Sequence, residues 1–150
     1  GEAPKNSLGA GIQSVESIQA TAARAGVAEH LLFLGVITDA AQLATVYEAA
    51  NVHIFPVRHI PDDPEGFGMV AIEAAAHGLP TAAFATGGIV DAVAPGQSGY
   101  LAEKNNYEQL AHYCVQLLRQ PLPQADIQAF VHRFAWKHFG NATQAALAAA

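Results

Sequence analysis

Apolar and polar positions alternate along the chain in two rhythms. Ile12, Val15, Ile18 and Ala22 lie three or four positions apart, which predicts a helix over 12–25. Leu31-Leu32-Phe33-Leu34 is an unbroken apolar run closed by Gly35, the pattern of a short buried parallel strand. Asp39 is placed to cap a helix over 40–49, and 52–56 reads as the next strand. A polar loop over 57–65 leads into a helix over 67–77, which Gly78-Leu79-Pro80 stops. A third strand is predicted at 81–84, a turn at 85–88, a short helix at 89–93 and a brief strand at 100–101. Helices over 106–119, 126–134 and 136–149 close the chain, with Pro121 and Pro123 separating the first from the others. Short apolar strands alternating with helices predict an α/β fold, a parallel sheet flanked by helices with right-handed crossovers. Such sheets take ligands at the carboxyl ends of their strands, so the loop 57–65 and the turn 85–88 are where function is expected.

Composition narrows the classes. The 150 residues suit one domain with its own core. Hydrophobic residues make up 51%, which argues against disorder, and charged residues only 13%, against about 25% in ordinary soluble domains. So few charges imply a surface that is partly covered. The net charge of −6 argues against a general nucleic-acid binder, which needs clustered Lys and Arg. A single cysteine, Cys114, rules out an internal disulfide and fits a reducing, cytoplasmic setting. The most apolar stretch, 69–85, is broken by Glu73, His77, Gly78 and Pro80, well short of the roughly 20 residues a membrane span needs. Gly1-Glu2-Ala3-Pro4 opens on turn chemistry with no strand before it, as expected of a fragment, and no signal peptide follows.

The densest chemical signal is Pro64-Glu65-Gly66-Phe67-Gly68-Met69-Val70-Ala71-Ile72-Glu73. The two glycines let backbone N–H groups approach a ligand, and the following helix aims its N-terminus at the same point. This combination stabilises phosphate without many basic side chains. Glu65 and Glu73 would repel phosphate, so they suit sugar or ribose hydroxyls, which donate to acceptor-only carboxylates.

With these residues in order, the chain resembles the family-four retaining glycosyltransferases. Glu65 and Glu73 match the family's Glu-x7-Glu element, and Gly1-Glu2-Ala3-Pro4 resembles the turn after an early strand of its C-terminal domain. Phe33-Leu34-Gly35 is similar to its "FLG" strand, and Ala50-Asn51-Val52-His53-Ile54-Phe55-Pro56 to its "AD-x-x-x-x-P" strand. Ala74-Ala75-Ala76-His77-Gly78-Leu79-Pro80 resembles "AMACGLP", Thr86-Gly87-Gly88 the double-glycine turn, and Gly96-Gln97-Ser98-Gly99-Tyr100-Leu101 "DGxTGxL".

The resemblance implies a Rossmann-like sheet, the C-terminal half of a GT-B fold. It implies that residues 1–150 form one donor-binding domain, a fragment lacking the first strand region and the N-terminal acceptor domain. The full protein would move a hexose from a nucleoside-diphosphate sugar to an acceptor saccharide, lipid or small molecule, with retention. It would be cytoplasmic, with peripheral membrane contact through the missing domain. Glu65 would be catalytic and hold the donor sugar, with the N–H groups of Gly66, Phe67 and Gly68 near sugar and diphosphate. Met69 and Val70 would add backbone contacts to phosphate, Glu73 would hold the ribose, and Arg58 would meet the diphosphate. Gly87 and Gly88 would line the opposite edge. Fixed dipoles would stabilise the leaving diphosphate, so the resemblance implies no metal and no cofactor. Three departures from the family are expected. Its diphosphate-binding Arg and Lys would precede this chain, its N-terminal domain with the acceptor and further catalytic groups would be missing, and Asp91 stands where the family usually has Glu, a small change. The chain alone is therefore expected to be inactive.

Some of the same residues fit other readings. Gly66-x-Gly68-x-x-Ala71 with Asp91 twenty positions on fits a dinucleotide fingerprint, but that fingerprint must follow a strand directly, and here a Pro-rich loop precedes it. A glycosidase carboxylate pair lacks any supporting cleft. A nucleotide-sugar epimerase of the same architecture and a non-catalytic nucleotide-sugar module stay open as alternatives. Asp62-Asp63 reads as a solvated turn, and the seven histidines show no metal spacing with Cys114. His59 is a candidate donor contact, His53 an in-strand packing residue and His77 a helix-end residue. Cys114 is expected in the core, and Trp136 with Phe134 and Phe139 is expected to anchor the last helix.

Overall fold

Three of the described helices begin where a side chain accepts from a free amide of the first turn. In the computed structural model, which describes residues 14–57 and 66–149, Ser14 caps α1 (Val15–Arg24) by accepting from the Ser17 N–H at 3.2 Å. Asp39 does the same for α2 (Ala40–Ala49), accepting from Gln42 N–H at 2.8 Å, and Asn106 for α5 (Tyr107–Arg119), from Gln109 N–H at 3.0 Å. The remaining helices are α3 (Met69–Ala76), α4 (Ile89–Ala92), α6 (Gln124–His132) and α7 (Trp136–Ala148). The α6 helix starts two residues before the predicted 126, directly after Pro123, whose fixed φ leads into a first turn.

Three strands, β1 (His53–Phe55), β2 (Thr81–Phe84) and β3 (Gly99–Ala102), form a parallel sheet in the order β1-β2-β3. The register aligns His53 with Thr81 and Thr81 with Gly99. Alternation then sorts the side chains onto two faces. Phe55, Ala83 and Leu101 meet Ala71, Ile72, Ile89, Ala92, Val93 and Phe130 from the α3, α4 and α6 side. Ala82, Phe84, Tyr100 and Ala102 meet Leu110 and Leu117 of α5 on the other. All four residues of β2 are buried, as a central parallel strand covered on both faces requires.

Helix ends are tied across elements. Gln124 and Gln128 of α6 donate to the carbonyls of His77 and Ala76 at 3.3 and 3.4 Å, which occupies carbonyls left free where α3 ends. Arg133 donates to the Asp91 carbonyl at 3.2 Å while its guanidinium lies 4.1 Å above the Phe130 ring.

Two sequence expectations fail. The run 31–35 is not a strand: after a 3-10 turn, Ala28–His30, the chain has no regular structure until α2, and Leu32 is 83% exposed. An apolar run becomes a strand only where a neighbour offers a ladder, and among the described residues it has none. Trp136 and Phe139 do not anchor α7 either. They touch each other edge to face at 5.9 Å but stay 84% and 64% exposed, whereas Phe134 does pack, against Phe67 and Phe130. Cys114 sits partly buried beside the α5-side core, and burial pushes its thiol pKa up, as for an inert packing residue. Its helix neighbours Val115 and Leu118, however, face outward.

Candidate functional site

Parallel pairing puts the ends of β1 and β2 at one edge of the sheet, so Pro56-Val57 and the turn Ala85–Gly88 leave it side by side. The start of α3 returns to the same edge. Gly68, its N-cap, is buried with φ +80°, a left-handed conformation that costs a residue with a Cβ roughly 1–2 kcal/mol. Space is short there as well: a Cβ on Gly68 would lie 3.3 Å from the Phe55 ring and 3.4 Å from Ile89 Cγ1. Gly88 is more constrained. A Cβ on it would run into the Gly66 carbonyl oxygen and approach Phe67 Cα to 2.9 Å. The two glycine segments, distant in sequence, are therefore in backbone contact, and only glycine at 88 permits it.

The open end of α3 emerges at this junction. Met69 and Val70 are its first two residues, so their N–H groups have no carbonyl four residues back within the helix. Both side chains are exposed, Met69 at 58%, although the helix packs through Ala71, Ile72, Ala74 and Ala75. Phe67 is half-buried and fixed edge to face on Phe134 at 5.3 Å. Gly66 and Gly87 are exposed and Gly88 is half-buried. The structure thus gathers Gly66, Phe67, Gly68, Met69, Val70, Gly87 and Gly88 at one point. Glu65, Arg58 and His59 lie outside the described residues.

Glu73 stands one turn along α3 with its carboxylate exposed, and Oε2 accepts a hydrogen bond of 3.2 Å from the Tyr47 hydroxyl of α2. Nothing in the spacing of the sequence joined these two; the link across 26 residues follows from α2 lying beside α3. Tyr47 in turn stacks on His77, with ring centroids 5.3 Å apart and planes 16° off parallel. His77 Nδ1 is 3.7 Å from Glu48 Oε1. Burial, then the Glu73 charge, raise the Tyr47 pKa, so the phenol stays a donor. Below Glu73, His53 in β1 meets Thr81 Oγ1 at 3.1 Å, and burial lowers its pKa despite the opposing pull of Glu73.

This edge offers backbone donors and a glycine-lined surface for an anion, with a carboxylate acceptor to one side. Among the described residues no three His, Cys, Asp or Glu side chains come together as a metal site. None of the described helices is long and apolar enough to cross a membrane. An open apolar groove elsewhere, lined by Ile18, Ala22, Ala25, Val27 and Leu31, includes none of the sequence-predicted site residues.

The model of the family "Glycosyl transferases group 1" matches residues 9–133. A D-inositol 3-phosphate glycosyltransferase of Mycobacterium avium is 33% identical over 139 residues, covering 89% of this chain and 31% of the relative. The chain therefore spans about a third of the length of that relative. Sucrose-phosphate synthase from Thermosynechococcus elongatus superposes with a TM-score of 0.73 at 29% identity, over 90% of this chain and 35% of that one. HepE of Anabaena, solved in complex with UDP, has the same fold, with a TM-score of 0.73 at 24% identity over 91% of this chain and 37% of its own.

Proposed function

The chain belongs to the group 1 glycosyl transferases, and we propose that it forms the donor-binding part of an enzyme that moves a hexose from a nucleoside-diphosphate sugar to an acceptor, with retention. The observation that carries this reading is the junction of Gly66–Gly68 with Gly88 at the open N-terminus of α3. A diphosphate laid there meets the N–H groups of Gly66, Phe67, Met69 and Val70 and the positive end of the α3 dipole, against the close backbone surface that Gly68 provides. Those dipoles are already oriented, so charge growing on the leaving diphosphate is stabilised without reorganisation as an oxocarbenium-like centre forms. The site works without metal on this account.

Glu73, exposed and one turn from the phosphate position, holds the ribose hydroxyls of the nucleotide. Glu65 holds the hydroxyls of the transferred sugar, and Arg58 meets the diphosphate from the loop before the helix. Gly87 and Gly88 close the opposite edge. The acceptor, a saccharide, lipid or small molecule, is brought by an N-terminal domain of the same enzyme, in the cytoplasm. That the Anabaena neighbour was solved with UDP, and separately with UDP-glucose, supports a nucleotide sugar as the ligand class.

Ligand-observed saturation-transfer NMR against UDP-, GDP- and ADP-sugars, with NAD as control, tests the reading. Transfer to one nucleotide sugar, lost in Glu73→Ala, is the expected result and names the base. Transfer to NAD alone would replace this reading with a dinucleotide site.

A further inference from the structure

Glu73 rises from an exposed helix face, where a carboxylate on three rotatable bonds samples several directions. A group that must meet ribose hydroxyls gains from being held in one of them before the ligand arrives. The structure supplies the holder. The Tyr47 hydroxyl donates to Glu73 Oε2 at 3.2 Å, which leaves Oε1 with its lone pairs to accept from a ligand. The phenol is itself fixed: its ring is half-buried and lies flat on His77, the residue that ends α3, at 5.3 Å. His77 is steadied from α2 by Glu48 at 3.7 Å and from α6 through the Gln124 bond to its carbonyl. Tyr47 is therefore set against the same helix that carries Glu73.

We propose that Tyr47 is a positioning residue for the nucleotide ribose, orienting the Glu73 carboxylate with one oxygen bound and the other offered to the ribose hydroxyls. The proposal rests on the reading of Glu73 as the ribose acceptor. It makes Tyr47 a determinant of selectivity for ribose-bearing over deoxy nucleotides, although the phenol itself need not touch the ligand. A hydroxyl-to-carboxylate bond also lowers the cost of leaving Glu73 partly desolvated once the ligand covers it.

The test is calorimetric binding of UDP, GDP and ADP to the wild-type protein, followed by the tightest of the three and its 2′,3′-dideoxy analogue on Tyr47→Phe, Glu73→Gln and the double variant. Tyr47→Phe should weaken the ribose-bearing nucleotide about five- to tenfold, the scale of one hydrogen bond, and leave the dideoxy analogue at its wild-type affinity. Adding Tyr47→Phe to Glu73→Gln should then cost nothing further. Equal losses for both nucleotides in Tyr47→Phe would overturn the proposal, since they would show general damage rather than carboxylate positioning. A Tyr47→Phe protein that binds like wild type, beside a weakened Glu73→Gln, would overturn it while leaving the ribose role of Glu73 intact. If Glu73→Gln binds both nucleotides normally, or the wild-type protein binds none of the three, the reading beneath it falls and the proposal with it.

Discussion

Gly88→Ala separates the role of this glycine from ordinary conformational freedom. Gly88 has φ −76°, which any residue adopts, so alanine meets no backbone penalty there. The cost is steric. The new Cβ would stand 2.8 Å from the Gly66 carbonyl carbon and 2.9 Å from Phe67 Cα, and every obstructing atom is backbone. A side chain could rotate away, but these atoms move only if the α3 start shifts from the β2 turn. Overpacking of this kind costs about 1–3 kcal/mol, and the lost freedom of the unfolded chain returns about 0.4–1 kcal/mol. A net loss of about 2 kcal/mol follows, toward the upper end because no flexible atom is involved. For a chain of this size that lowers the thermal midpoint by about 4–8 °C. Gly140→Ala is the matched control: nothing lies within 4 Å of its Cβ and it sits inside α7, so alanine should stabilise by about 0.5–1 kcal/mol. Urea unfolding of both variants reads the difference. A Gly88→Ala protein as stable as wild type would refute the claim that the two glycine segments are in obligatory contact.

Glu73→Ala should weaken the bare nucleotide and the nucleotide sugar alike, whereas Glu65→Ala should weaken the nucleotide sugar and spare the bare nucleotide. Each loss should be about 1.5–3 kcal/mol in titration calorimetry, and equal losses on both ligands in both variants would sink this division of roles. His53 gives a pH signature. Burial holds its folded pKa below the ordinary 6.5, so between those values the unfolded chain binds more protons and stability rises with pH. The contribution is complete above pH 6.5 and is lost as the pH falls through the window below it. Urea midpoints measured down to pH 5 should fall less steeply in His53→Gln, and identical slopes would contradict the burial argument.

What was legible in the sequence was local. The β2 strand is legible at its observed bounds because the run Thr81–Phe84 between Pro80 and a Gly-containing turn has few alternatives, and Asp39 announces its helix through capping chemistry. The run at 31–35 looked equally like a strand. Its fate depended on whether a neighbouring strand offers hydrogen bonds, and a linear pattern does not contain that neighbour. Trp136 and Phe139 have helical spacing, yet spacing fixes only that they share a face, not that anything covers it. The same limit applied at the site. The motif 66–73 marks a helix start, which the structure puts at Met69 and not at 67, but the Gly88–Gly66 contact and the Tyr47–Glu73 bond join segments that meet only when the sheet forms.

The central claim is that a nucleotide sugar lies across the start of α3 and the turn after β2. Amide chemical shifts of the 15N-labelled protein, followed as UDP-glucose, GDP-mannose and ADP-glucose are added, test it directly. For one of the three, the largest changes should fall at 66–70 and at Gly87 and Gly88, with weaker effects around Glu73. Unchanged amides at those positions, with shifts concentrated instead along the groove of Ile18, Ala22 and Leu31, would contradict it.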